Sequence, residues 1–194
     1  LGVRQLATGS RDTTARCWDV QTGRELKRFE GHSEAVLSVF VDGLYLATGS
    51  KDKTARLWDV KKGHELTRFE GHGDAVLCVT LVSGRLATGS SDRTACLWDS
   101  SDGRLLKRFP HDGGAVQSVS LVGQSLATGA VDKIARVWDV EDGRELRRFE
   151  GHKGSVMSTS LFGRWLITGS ADKTAILWDA ATGASLNSYK GHSK

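Results

Sequence analysis

At 194 residues with 27 basic and 23 acidic side chains, the chain carries a formal charge of +4, well short of the concentrated positive patch of a typical nucleic-acid binder. Its three cysteines, Cys17, Cys78 and Cys96, form no CxxC pair, which argues against a disulfide framework or a zinc cluster and fits a reducing compartment. No apolar run approaches the ~20 residues that cross a bilayer and no signal peptide opens the sequence, so a cytoplasmic or nuclear location without membrane association is expected.

The tryptophans at 18, 58, 98, 138 and 178 are spaced by 40 residues each time, without insertions. A fixed period of this size marks a repeat array whose neighbouring units bury one another. Within residues 1–30 the pattern predicts three short strands. Residues 31–70 predict four: Ala35 to Val41 (a), Tyr45 to Ser50 (b), Thr54 to Asp59 (c) and His64 to Phe69 (d). The connections Asp42-Gly43, Lys51-Asp52-Lys53 and Lys61-Lys62-Gly63 have hairpin length. Residues 71–110, 111–150 and 151–190 repeat the pattern, and 191–194 start a further unit.

Segments a, b and c are almost continuously apolar or small, as in a sheet covered on both faces. Segment d carries Lys27, Arg28, Arg68, Lys107, Arg108, Arg147 and Arg148, with Leu26, Leu66, Leu106, Leu146 and Leu186 expected to anchor its apolar side. Charges of this kind protect an outer edge, so d is expected at the rim. Four-stranded blades covered on both faces stack radially into a propeller.

Gly31-His32, Gly71-His72 and Gly151-His152, each followed in phase by Asp and then Trp-Asp, together with Gly191-His192 in the same phase, make the whole chain resemble the WD40 repeat family. The resemblance implies an all-β fold of WD40-type propeller blades over residues 1–194. Four blades are complete, one lacks its innermost strand, and the propeller is incomplete or open. It also implies a hydrogen-bonded tetrad in each blade: His32, Thr48, Asp52 and Trp58; His72, Thr88, Asp92 and Trp98; His152, Thr168, Asp172 and Trp178. A hydroxyl accepts from the indole and donates to the imidazole, while the carboxylate fixes the other ring nitrogen. The competing reading, a hydrolytic triad or histidine metal site, fails because the set recurs in every blade instead of converging on one pocket.

One copy departs from the pattern. Phe109 to Val116 reads FPHDGGAV, with His111 at the glycine phase, Asp112 at the histidine phase and the only proline at Pro110. Either the loop shifts so that His111 reaches Thr128, Asp132 and Trp138, or Asp112 and Asp132 face each other as paired carboxylates. On this ground 111–150 is expected to be the least stable complete blade.

Members of this family are similar in gripping partners on one ring face. That face maps here onto Arg11, Lys51, Ser91, Val131 and Ala171 in one phase. In the other phases lie Ala35, Leu37, Ala75, Leu77, Ala115, Gln117, Ser155 and Met157. These phases vary while the tetrad phases repeat, with a basic corner at Arg11 and Lys51 and an apolar sector at Leu77, Val131 and Met157.

No Walker, GxSxG, HExxH or kinase motif is present. The expected function is therefore a non-catalytic scaffold without cofactor, binding protein or peptide partners. The alternative is the sensor region of a larger enzyme or signalling protein. Nucleic-acid association through the basic rim is the weakest reading, because Glu25, Glu65 and Glu145 interrupt the cations and stacking aromatics are not interleaved. The incomplete first and last repeats predict completion by further sequence or by self-association.

Overall fold

The computed structural model describes residues 5–192; the ends of the predicted partial units, residues 1–4 and 193–194, lie outside them. The first sheet has three strands, β1 (Gln5–Gly9), β2 (Ala15–Asp19) and β3 (Glu25–Phe29). Blade 2 has β4 (Val36–Asp42), β5 (Tyr45–Ser50), β6 (Ala55–Asp59) and β7 (Glu65–Phe69). Blade 3 has β8 (Val76–Val82), β9 (Arg85–Ser90), β10 (Thr94–Asp99) and β11 (Leu105–Pro110). Blade 4 has β12 (Val116–Val122), β13 (Ser125–Ala130), β14 (Ala135–Asp139) and β15 (Glu145–Phe149). Blade 5 has β16 (Val156–Phe162), β17 (Trp165–Ser170), β18 (Thr174–Asp179) and β19 (Ser185–Lys190).

Every sheet is an antiparallel meander in chain order. The first strands of successive four-stranded blades pack on one another, β4 on β8, β8 on β12 and β12 on β16, so they form the inner wall. The basic fourth strands lie at the opposite edge of each sheet. Among the described residues no sheet closes the array, and the propeller is open.

The close approach of blades is set by a glycine near the end of each second strand. A methyl group at Gly9, Gly49, Gly89 or Gly129 would lie 2.8, 2.8, 2.8 and 2.7 Å from a γ-carbon of Val36, Val76, Val116 and Val156 in the next blade. Between blades sits a layer built from two dissimilar faces. Ala47, Ala55 and Leu57 of blade 2 meet Leu86, Val79, Leu81 and Trp98 of blade 3. The pattern repeats with Ala87, Ala95 and Leu97 against Leu126 and Trp138, and with Ala127, Ala135 and Val137 against Leu166 and Trp178. Serines add hydrogen bonds between inner strands: the Val79 amide donates to Ser38 Oγ at 3.2 Å and the Thr159 amide to Ser118 Oγ at 2.9 Å.

One expectation is corrected in part. Of the rim leucines Leu106 is partly buried against the core, but Leu26, Leu66, Leu146 and Leu186 are all at least 40 % exposed and do not anchor their strands. The anchors are Phe29, Phe69, Phe109 and Phe149, buried where each strand turns inward toward the next blade and stacked near the next tryptophan. Blade 4 is covered on both faces, whereas blade 5 presents Ile167, Leu186 and Tyr189 on its bare side. Local stability follows buried apolar contact, which favours blade 5 over blade 4 as the complete blade expected to open first; amide hydrogen exchange compared between the two blades decides it.

Candidate functional site: blade tetrads and the ring face

The tetrad residues converge because the antiparallel pairing of second and third strands places Leu46 opposite Trp58 and Thr48 opposite Arg56. The indole then spans two residues along the sheet to Thr48. Trp58 Nε1–H donates to Thr48 Oγ1 at 2.9 Å, and that hydroxyl lies 2.7 Å from His32 Nε2. His32 Nδ1 lies 2.7 Å from Asp52 Oδ2. The corresponding distances are 2.9, 2.7 and 2.7 Å in blade 3 and 2.8, 2.8 and 2.9 Å in blade 5. The geometry orders one chain of protons: indole to hydroxyl, hydroxyl to imidazole Nε2, imidazole Nδ1 to carboxylate.

The aspartate has a second task. Asp52 Oδ1 accepts from the Thr54 amide and hydroxyl at 2.9 and 2.7 Å, which holds Lys53 at φ 72° in the left-handed region. Burial raises the pKa of Asp52, but hydrogen bonds from Thr54 and His32 outweigh it and bring it down to about 2. Asp92 behaves alike, also reaching about 2. Burial lowers the pKa of His32 and His72 while the aspartates partly oppose it. At these two positions burial disfavours the charged imidazole, whose two ring nitrogens link the threonine hydroxyl to the carboxylate. Ser50, the neighbouring hydroxyl, instead donates to the carbonyls of Glu34 and Ala35 at 3.0 and 2.9 Å.

Blade 4 keeps part of the set. His111 Nε2 lies 2.8 Å from Thr128 Oγ1, and Trp138 Nε1 lies 2.9 Å from the same oxygen. Asp132 is not included: His111 Nδ1 faces the Phe109 carbonyl at 3.2 Å, and Asp132 takes Arg136 Nη2 at 2.6 Å. The loop reaches this position because Gly113 lets the backbone lie against Asp132, where a β-carbon would sit 2.6 Å from Asp132 Cβ. Asp112 points to solvent 3.6 Å from Arg148, so no carboxylates are paired face to face. Burial, reinforced by the Arg136 charge, lowers the His111 pKa to about 4. Blade 1 has only the Trp18-to-Thr8 bond, at 2.8 Å, and Asp12 pairs with Arg16.

Sequence reasoning missed a buried arginine on the third strand. Arg136, 1 % exposed, lies 3.3 Å from Glu145, and Arg56, 5 % exposed, lies 2.7 Å from Glu65. Arg16 faces Glu25 at 3.6 Å. The signal was present within the repeats: where the arginine phase becomes Cys96 or Ile176, the glutamate phase becomes Leu105 or Ser185.

In blades 2 to 5 the ring-face phases meet through one backbone hydrogen bond per blade. The amides of Lys51, Ser91, Val131 and Ala171 donate to the carbonyls of Ala35, Ala75, Ala115 and Ser155 at 2.9, 2.9, 3.0 and 2.9 Å. Arg11, Leu37, Lys51, Val131, Met157 and Ala171 are exposed, while Ala35, Leu77, Ser91, Ala115, Gln117 and Ser155 are half-buried. Ala75 does not belong to a contact surface, because its side chain is buried at 7 % exposure under its own loop. The basic corner is weaker than its composition implies, since Lys51 Nζ lies 3.7 Å from Glu34. Among the described residues no cluster of His, Cys, Asp or Glu is arranged to hold a metal ion.

The WD domain, G-beta repeat family matches the chain five times, at residues 2–19, 23–59, 63–99, 103–139 and 143–179. The last four matched units start just before a fourth strand and end at the next blade's Trp-Asp. A 39-residue stretch is 49 % identical to Mitochondrial division protein 1 of Eremothecium gossypii, covering 20 % of this chain and 6 % of that protein. The computationally designed Ika8 protein, known from a crystal structure, superposes with a TM-score of 0.89 at 28 % identity. The superposition covers 99 % of this chain and 60 % of that one, so this chain spans less than two thirds of either. With five phased repeats in sequence and five radially stacked sheets in structure, the chain belongs to the WD40 family.

Proposed function

We infer that the chain is a non-catalytic protein-interaction scaffold whose ring face receives a protein or peptide partner. WD40 repeats generally mediate protein–protein interaction. The observation that carries the reading for this chain is the hydrogen bond joining the two variable loops of each four-stranded blade. It gathers the varying phases on one surface, while the tetrads that could imitate catalytic residues stay buried and repeat. Exposed Leu37, Val131 and Met157 offer apolar anchors of the kind that dominate binding energy. The proposal includes a reducing intracellular setting, supported by three cysteines that are all unpaired.

Leu37→Glu combined with Val131→Glu tests the surface. Affinity capture from cell extract with the folded variant is expected to lose the set of proteins retained by the parent chain. Retention of the same set would overturn the ring-face assignment. Arg11→Glu with Lys51→Glu tests the basic corner in the same assay.

A second reading concerns the terminal faces. Leu6 and Val20 on blade 1 are 54 % and 60 % exposed, and Tyr189, at the phase of the buried Phe149, is 55 % exposed. These are the two dissimilar halves of a blade interface, and we propose that further polypeptide covers them, from the same protein or a second copy. Sedimentation of the 194-residue chain is then expected to show concentration-dependent association; a stable monomer at micromolar concentration would contradict it.

A further inference from the structure

On the face opposite the ring-face loops, three of the four junctions between blades have a long basic side chain laid across them from the fourth strand. Lys27 of blade 1 lies across the turn of blade 2, so close that a β-carbon at Gly63 would sit 2.7 Å from its Cδ. Lys107 does the same over Gly143 at 2.8 Å, and Arg147 over Gly183 at 3.0 Å. Arg147 Nη2 also donates to the Ala181 carbonyl at 2.6 Å. These stems cover the apolar end of the junction while their charged heads stay at its edge.

The junction between blades 2 and 3 lacks this cover. Its residue in the same phase is Thr67, whose hydroxyl reaches only the Ser100 carbonyl at 3.0 Å. Ser100 itself stands where blades 2 and 4 bury Val60 and Val140. Gly84 stands where the other blades carry Leu44, Gln124 and Arg164. A cleft of about 480 Å³ opens here, floored by Leu57, Leu66 and Leu81 and rimmed by Asp42 and Tyr45. That volume lies in the range of ligand sites, ~300–1,000 Å³. Among the described residues the Asp42 carboxylate has no ion-pair partner within 4 Å.

We propose that this cleft binds an arginine or lysine side chain of a protein partner. The stem lies over Leu66 and Leu81 as Lys27, Lys107 and Arg147 lie in their own junctions, and the cationic head meets Asp42 and the carbonyls of the Ser100-Ser101 turn. The occupant's chemistry is thus set by what the protein's own repeats place in the homologous position. The site lies at the opposite end of the strands from the ring face, so the two assignments stand or fall separately.

The test uses the full chain and acetyl-Leu-Arg-Leu-amide, read by backbone amide shifts in two-dimensional NMR. Saturable shifts at Thr67, Gly84, Ser100 and Ser101 with a Kd near ~1 mM are expected, of the size one anchored side chain supports. The isosteric citrulline peptide is expected to bind about tenfold more weakly, as is the arginine peptide to Asp42→Asn. Thr67→Lys supplies the missing stem in cis, in a phase where Lys27 and Lys107 are already accommodated, and is expected to abolish the shifts. No shift at these amides by ~10 mM peptide, well above that Kd, or equal binding of the citrulline peptide, would overturn the proposal. So would unchanged binding to either variant, and Asp42→Asn, at an exposed position, keeps the test valid if Thr67→Lys folds poorly.

Discussion

Trp98→Ala is expected to cost ~3–5 kcal/mol of stability, the usual price of truncating a buried aromatic side chain. The indole is 1 % exposed and sits in the layer between blades 2 and 3, with Phe69 and His72 rings at centroid distances of 6.0 and 5.8 Å. Truncation removes that packing and leaves the Thr88 hydroxyl without the indole donor now 2.9 Å away. Trp18→Ala is the matched control. It has the same bond to a threonine, but its outer side is bare beside the exposed Leu6 and Val20, so its cost is expected to be less than half as large. Urea denaturation of both variants checks the pair. Equal losses would mean that the stacked layer is not what holds the array together.

Asp132→Ala is the second large effect, expected at ~3–5 kcal/mol, because it strips a buried guanidinium of its closest counter-charge. Arg136 is 1 % exposed, with Asp132 at 2.6 Å and Glu145 at 3.3 Å. In this blade the aspartate holds an arginine, not the histidine, so His111→Ala is expected to cost less, ~1–3 kcal/mol for an orphaned Thr128 hydroxyl. Removing the whole charged set changes the balance. Asp132→Asn with Arg136→Ile and Glu145→Ser, the last two copied from Ile176 and Ser185 of blade 5, leaves no buried charge unpaired, and replacing a buried ion-pair set by uncharged packed groups is often neutral. A triple mutant as unstable as Asp132→Ala would contradict this assignment.

The strands, their order and the blade count were legible because a 40-residue period without insertions lets each copy check the others. The second and third strands carry the strongest pattern, and the Thr, Asp and Trp of the tetrad repeat inside them. What the repeats obscured was depth. Leu66 and Phe69 look equally apolar in the fourth strand, yet only Phe69 lies at the end that turns inward and is covered by the next blade. The His111 loop was undecidable because the outcome depends on a backbone approach at Gly113 that residue types do not encode. Arg56 and Arg136 lie in third strands that otherwise read as apolar or small, and only their paired substitution with the glutamate phase distinguished them. The blade 2 and 3 cleft was hidden in the same way: Thr67 is an ordinary strand residue until Lys27, Lys107 and Arg147 are seen lying across the neighbouring turns.

The central claim is a division of labour, in which repeated residues hold the blades and varying residues meet the partner. Measuring thermal stability and partner retention together for His72→Ala and for Leu37→Glu with Val131→Glu tests it most directly. The account predicts opposite outcomes: His72→Ala melts at lower temperature but retains partners while folded, and the ring-face variant melts like the parent chain but loses them. Loss of partners by folded His72→Ala with unchanged melting would contradict the account, placing function in the tetrads instead of on the face they support.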